Sequence, residues 1–208
     1  MSAIPKALVA SEVAEWYSPH ELIEPARSVF GGFDLDPASC AEANINVRAS
    51  RIYTLADDGQ SRPWDFDGMP SRVWLNPPSK RGEESAPDWW VYLAREFMAW
   101  RVRCAAFVVF NLSTVQTALS AARAAGLPPP QWGSRVEPCR RIAYLRTARS
   151  LALPGVDAAF ERGKQPPHPS AVVLLSDEPA LHAAWRKAYA PLGEVLPPAR
   201  MPVREARS

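Results

Sequence analysis

Apolar positions in this chain fall into short runs divided by proline and polar punctuation, and the runs predict alternating strands and helices. Arg72-Val73-Trp74-Leu75 reads as a buried strand, stopped by Pro77-Pro78 because proline cannot donate to a ladder. Phe33-Asp34-Leu35-Asp36-Pro37 reads as a strand entered through a break at Gly31-Gly32, with acidic residues flanking a core leucine. Further strands are predicted at 51–54, 104–110, 140–146 and 171–175. Helices are predicted at 20–30, with Ser18 placed to cap it, and at 88–101, with Ser85 or Asp88 near its start. Trp90, Leu93, Phe97 and Met98 give the second helix a broad apolar face, so its tryptophans are predicted to be core. A third helix runs from a Ser113 cap to about 125, closed by Gly126, and a fourth covers 179–190. Residues 40–49 read as a small-residue stretch, and 65–71, 128–138 and 150–169 as loops. This strand–helix rhythm predicts an α/β fold with a single, mostly parallel sheet flanked by helices. One domain spans 13–196, with loose ends at 1–12 and 197–208, and no repeat or linker divides it.

Composition narrows the classes. A length of 208 residues and a hydrophobic fraction of 47% suit one domain with a real core. The net charge of +2 announces no global affinity for nucleic acid, so any basic surface must be local. Cys40, Cys104 and Cys139 are isolated, as are His20, His168 and His182, which predicts reduced thiols and no structural zinc or other metal. The longest strongly apolar run, 104–110, is too short to span a bilayer, and residues 1–10 lack a signal pattern; a soluble, cytoplasmic protein is expected. The 22 prolines point to many loops.

Candidate chemistry lies where strands end. Asn76 and Pro77 each precede a proline and are pushed towards extended backbone, while Pro77 and Pro78 have fixed φ and no N–H. The loop is stiff and rich in acceptors. A side-chain oxygen and a neighbouring carbonyl held side by side accept the two hydrogens of a planar exocyclic amine, freeing its lone pair to attack an electrophilic methyl. The same tripeptide also serves as an ordinary turn. Asp34 and Asp36, two apart, face the same side of their strand, where Asp36 either meets a ligand or caps an Asp-Pro turn. Asp57-Asp58-Gly59 offers acceptors for a ribose or an amine, or forms a surface turn. No Gly-x-Gly-x-x-Gly is present, which argues against a dinucleotide fingerprint. Lys80 and Arg81 either hold a phosphate or form a solvated basic turn.

Glu15-Trp16-Tyr17-Ser18-Pro19, Phe33-Asp34-Leu35-Asp36-Pro37-Ala38-Ser39, Tyr53-Thr54-Leu55-Ala56-Asp57-Asp58-Gly59 and Trp74-Leu75-Asn76-Pro77-Pro78 occur in this order. As a set they resemble the phage-type DNA adenine-N6 methyltransferase family, closely over the first half of the chain and as a pattern of elements over the second. The resemblance implies a Rossmann-like S-adenosylmethionine-dependent methyltransferase fold, methyl transfer to the N6 amine of a flipped adenine, and a phage or prophage origin in a bacterial host, where modified DNA escapes restriction. It implies that Trp16, Tyr17, Ser18 and Pro19 help to form the cofactor pocket and that Asp34, Asp36 and Pro37 replace a glycine-rich loop. Asp57 and Asp58 complete that pocket; Asn44 and Trp64 also fit the pattern. Asn76 and the Pro77 carbonyl would accept the amine hydrogens while Pro78 holds the loop, and no general-base aspartate is needed.

Ser79 departs from the family, which has an aromatic residue there to stack on the target base. Three readings follow: another ring such as Trp74, Trp89 or Trp90 substitutes; the acceptor is another amine, such as cytosine N4 or a modified base; or the protein is a silent binder. DNA contacts are expected from Lys80, Arg81, Arg140 and Arg141 and from the 150–169 loop. Oligomeric state is not legible.

Overall fold

The computed structural model describes residues 17–78, 85–127, 134–138, 142, 144–147, 160–162 and 170–198. In chain order its elements are α1 (His20–Phe30), β1 (Leu35–Asp36), α2 (Ala41–Val47), β2 (Arg51–Ile52), β3 (Asp65–Phe66), β4 (Met69–Leu75), α3 (Ala86–Met98) and β5 (Val102–Val109). These are followed by α4 (Leu112–Ala124), β6 (Arg135–Pro138), β7 (Leu145–Thr147), β8 (Phe160–Arg162), β9 (Ala171–Leu175), α5 (Pro179–Tyr189) and β10 (Gly193–Leu196).

The main sheet runs β10-β6-β9-β5-β4-β1-β2, with β3 folded back on β4. Apart from the antiparallel β3–β4 pair, the pairings from β2 to β5 are parallel, with Leu35 opposite both Arg51 and Val73, and Leu75 opposite Phe107. Beyond β5 the pairings β5–β9, β9–β6 and β6–β10 are antiparallel. The sheet is therefore mixed, and the parallel character read from the sequence belongs to the half that carries the motifs. Strands β7 and β8 form a separate antiparallel ribbon.

Period-two alternation builds two cores. On β4, Trp74 enters a cluster with Leu22, Ile23, Phe33 and Trp185, while Val73 and Leu75 enter another with Trp90, Leu93 and Phe97. Helices α1 and α5 thus cover one face of the sheet and α3 and α4 the other. Strands β5 and β9 are apolar on both sides because they are covered on both.

Tertiary partners decide details that local pattern did not. Ser18 does not cap α1; Pro19 is the N-cap, its carbonyl accepting from the Leu22 N–H at 3.0 Å. Asn111, not Ser113, caps α4, its side chain accepting from the Ser113 N–H at 3.0 Å. Residues 41–47 form α2, capped by the Cys40 sulfur, which accepts from Ala43 N–H at 3.4 Å. The expected loops at 65–71, 128–138 and 150–169 contain β3 and the start of β4, β6, and β8 respectively, and β10 was not anticipated. These short strands exist through their partners: β6 is held between β9 and β10, with Pro138 at its end. Of the strand expected over 140–146, Leu145 and Arg146 lie in β7.

Candidate active site

The chain leaves β1, crosses to β2 on one side, and then returns to β4 on the other side of β1. That reversal is a topological switch point, and the carboxyl ends of β1 and β4 beside it are the position where open α/β sheets take their ligands. Asp36 ends β1 and Asn76 follows β4 directly. Leu35 lies opposite Val73, and alternation puts Asp36 and Asn76 on the same face, Asn76 one pleat further along. Asp36-Pro37 and Asn76-Pro77-Pro78 are therefore adjacent. Pro77 is buried, Asn76 and Pro78 are half-buried, and the Asn76 Oδ1 is shielded from solvent.

Asp36 is only 2% exposed. Burial pushes its carboxyl up to about 7, only partly offset by hydrogen bonds from the Ser39 side chain and the Ala38 N–H. The Ala38 bond is long, at 3.3 Å. A buried carboxyl at the switch point, with no basic side chain bonded to it among the described residues, favours a cationic or hydrogen-bonding ligand.

The loops after β1 and β2 are stitched together. Tyr53 N–H donates to the Asp36 carbonyl at 3.0 Å and Ser39 N–H to the Tyr53 carbonyl at 2.9 Å. Gly59 then approaches the Pro37 carbonyl so closely that a Cβ there would lie 2.0 Å from the oxygen. Trp64 Nε1 fixes Gly59 by donating to its carbonyl at 2.8 Å. Trp64 is itself held: its N–H donates to Glu96 Oε2 at 3.2 Å and its ring stacks on Trp89 at 6.4 Å. Within Asp57-Asp58-Gly59 the two carboxylates differ. Asp57 accepts from the Thr54 N–H at 2.8 Å and hydroxyl at 2.7 Å, which hold its carboxyl below the usual range. Asp57 is thus a turn residue, whereas Asp58 is exposed and takes the left-handed conformation at φ 52°.

The aromatic turn also reaches this cluster. Tyr17 OH lies 3.9 Å from Cys40 Sγ, which tethers it to the loop after β1. Beside it Ser18 is buried, and its hydroxyl has no hydrogen-bond partner among the described residues. Pro19 is buried at the head of α1. Tyr17, Ser18, Asp36, Pro37, Asp58 and Asn76 therefore converge from four separate stretches.

Asp34 does not join them. It sits at the opposite end of β1, where Arg72 binds it through Nε at 2.8 Å and a terminal nitrogen at 2.7 Å. The Arg72 N–H adds a third bond at 2.8 Å, and together these hold the Asp34 carboxyl low despite its partial burial. Asn44 is likewise engaged locally: its side chain bonds both the N–H and the carbonyl of Ala49, at 2.8 and 3.2 Å. Trp74 and Trp90 are 0% exposed and Trp89 is 6% exposed, so the three rings considered as substitutes at Ser79 belong to the core. Trp16, Ser79, Lys80, Arg81, Arg140 and Arg141 lie outside the described residues.

Sequence reasoning missed Cys40 and Gly59 as parts of the site. Both are joints between loops, and only the glycine left a local signal, as the last residue of an Asp-Asp-Gly turn. A cavity of about 370 Å³ lies at the other end of the parallel strands, where Asp34, Arg51, Phe66, Met69, Arg72 and Arg103 line it. The loop cluster at the carboxyl end remains the better candidate for chemistry because the switch point, the buried carboxyl and the Asn-Pro-Pro loop coincide there.

Among the described residues no helix is long and apolar enough to cross a membrane, and no group of three or more His, Cys, Asp or Glu side chains is placed to hold a metal ion. No protein-family model matches the chain, and neither the curated proteins nor the solved structures contain a match.

Proposed function

We propose that this protein is an S-adenosylmethionine-dependent DNA methyltransferase that modifies the exocyclic N6 amine of adenine. One observation carries the reading: Asp36 and Asn76, from two motifs 40 residues apart, end adjacent strands at the sheet's switch point. The surroundings fit the cofactor's chemistry. The buried Asp36 carboxyl suits its cationic amino-acid portion, the exposed Asp58 its ribose or adenine amine, and the buried Ser18 hydroxyl a further polar atom. When bound, S-adenosylmethionine supplies an electrophilic methyl group on a sulfonium centre.

The protein's own contribution is to orient the acceptor. The Asn76 side-chain oxygen and the Pro77 carbonyl take the two amine hydrogens, which draws the nitrogen towards pyramidal geometry and exposes its lone pair. The charge that grows on nitrogen in the transition state is met by acceptors fixed in advance by the proline backbone. The surplus proton leaves to solvent after attack.

A second reading keeps the fold and changes the outcome: another amine acceptor, or binding without turnover. Burial of Trp74, Trp89 and Trp90 favours it, because none of these rings can stack on a flipped base without leaving the core. The test incubates the protein and Asn76→Ala with S-adenosylmethionine and unmethylated DNA and quantifies methylated nucleosides by mass spectrometry. N6-methyladenine made only by the unmutated protein supports the first reading. A different methylated base, or cofactor binding with no methylated nucleoside, replaces it with the second.

A further inference from the structure

We propose that the cleft at the amino-terminal ends of β1, β2 and β4 is a second ligand site, which binds a small phosphate monoester carrying a flat apolar body. Seven residues of β4 separate it from the Asn-Pro-Pro loop, a span of roughly 20 Å, so one small ligand cannot serve both ends. The methyl-transfer chemistry uses none of its residues.

Three guanidinium groups and one carboxylate line this cleft, an excess of positive charge in a chain with little to spare. Their commitments differ. Arg72 is fully engaged, by Asp34 and by the Phe30 and Gly31 carbonyls at 3.0 and 3.2 Å, where it closes the end of α1. Arg103 pairs with Glu178 at 2.8 and 3.1 Å, but the side chains are 56% and 36% exposed, and exposed pairs of this kind exchange readily for a better anion. Arg51 makes no ion pair among the described residues. Its guanidinium carbon lies 4.0 Å from the Phe66 ring centroid, a cation–π contact that uses no N–H and so leaves the donors to grip an oxyanion.

Apart from Ser50 and Ser71, the rest of the lining is apolar. Phe66, Met69 and Pro70 stand beside the arginines, and Met69 is 70% exposed, open to contact from a ligand. A free fork for a phosphate next to a thioether and two rings matches an anion with a planar body, and about 370 Å³ is the size of a small-molecule site. A doubly charged phosphate monoester meets Arg51 and draws Arg103 from Glu178, whereas a neutral aromatic molecule leaves Arg51 unmatched.

Phenyl phosphate is the minimal probe, with inorganic phosphate and phenol as its two halves, read by amide chemical-shift changes across the folded protein. Shifts centred on Arg51, Phe66 and Met69 are expected, with affinity about tenfold or more above either half. Arg51→Ala should weaken binding by about tenfold while leaving the remaining spectrum in place. Arg51→Lys, which keeps charge but loses the fork, should fall between, and Asp36→Asn should bind normally. Absence of shifts at millimolar phenyl phosphate overturns the proposal. So do equal affinities for phenyl phosphate and phosphate, affinity unaffected by Arg51→Ala, or shifts centred on Ser18 and Asp36.

Discussion

Gly59 rests on Pro37: a Cβ at position 59 would lie 2.0 Å from the Pro37 carbonyl oxygen and 3.2 Å from the Trp89 ring. This contact joins the loop after β2 to the loop after β1, so the spacing of Asp58 from Asp36 depends on the absence of one methyl group. Gly59→Ala should push the loops apart, lowering stability by about 1–3 kcal/mol, the usual cost of overpacking. Denaturant unfolding and cofactor titration check this together. Undiminished cofactor affinity in a measurably destabilised variant would show that the loop spacing does not matter to the site.

Asp36 makes stability fall with rising pH. Its folded carboxyl titrates near 7, above the ordinary 3.8, so the folded state holds a proton that the unfolded state has lost between those values. Stability from this residue is full below about 4 and declines until about 7, by a few kcal/mol at most. Asp36→Asn should therefore be more stable than the unmutated protein at pH 8 and nearly equal to it at pH 4, a difference that paired thermal melts resolve.

On the proposed function, the same carboxyl should set the pH dependence of S-adenosylmethionine binding. A cationic group prefers the carboxylate, so affinity for S-adenosylmethionine should drop below pH 7, approaching tenfold per pH unit. Calorimetric titration from pH 5.5 to 8 measures it; a flat profile removes Asp36 from the cofactor site.

Asp34 should behave as a structural residue. Asp34→Asn breaks its paired bonds with Arg72 and should cost about 1–2 kcal/mol at neutral pH, the pair being partly exposed. The loss should shrink as pH falls through the depressed pKa of Asp34, since protonation breaks the pair in the unmutated protein too. Cofactor affinity should stay within twofold, and a larger loss would return Asp34 to the binding site.

Glu96 is 3% exposed and joins Trp64 N–H to Arg101, whose Nε and terminal nitrogen lie 2.6 and 2.5 Å from its oxygens. Glu96→Gln should lower stability by about 2–3 kcal/mol and loosen residues 57–64, seen as faster amide exchange at Gly59. Exchange that stays slow at Gly59 would mean that the Trp64 ring alone fixes the loop.

Long periodic elements were legible because packing only reinforced their local pattern: α1 at 20–30, the buried strands at 104–110 and 171–175, and the helices that follow them. Short elements were legible only in part: β1 and β2 fall within the strands read at 33–37 and 51–54, but β3 carries no period, and β6 and β10 are strands only through their partners, β9 and each other. The site was readable as motifs but not as a set, since sequence cannot tell which end of a strand a carboxylate serves. Asp34 and Asp36 look equivalent in the string; Arg72 separates them, binding one and leaving the other to the switch point. Asp57 and Asp58 are separated in the same way by Thr54.

The change from parallel to antiparallel pairing at β5 bears on how the chain is made. The loops of the candidate site emerge from the ribosome ahead of β5, but the outer partner of β5 is β9, at Ala171–Leu175. Until those residues emerge, the run Val102–Val109 presents an unpaired edge, apolar at almost every position. A nascent chain paused in that interval carries the loops of the candidate site beside an aggregation-prone strand, so its yield in cells should depend on chaperone supply far more than its finished stability would indicate.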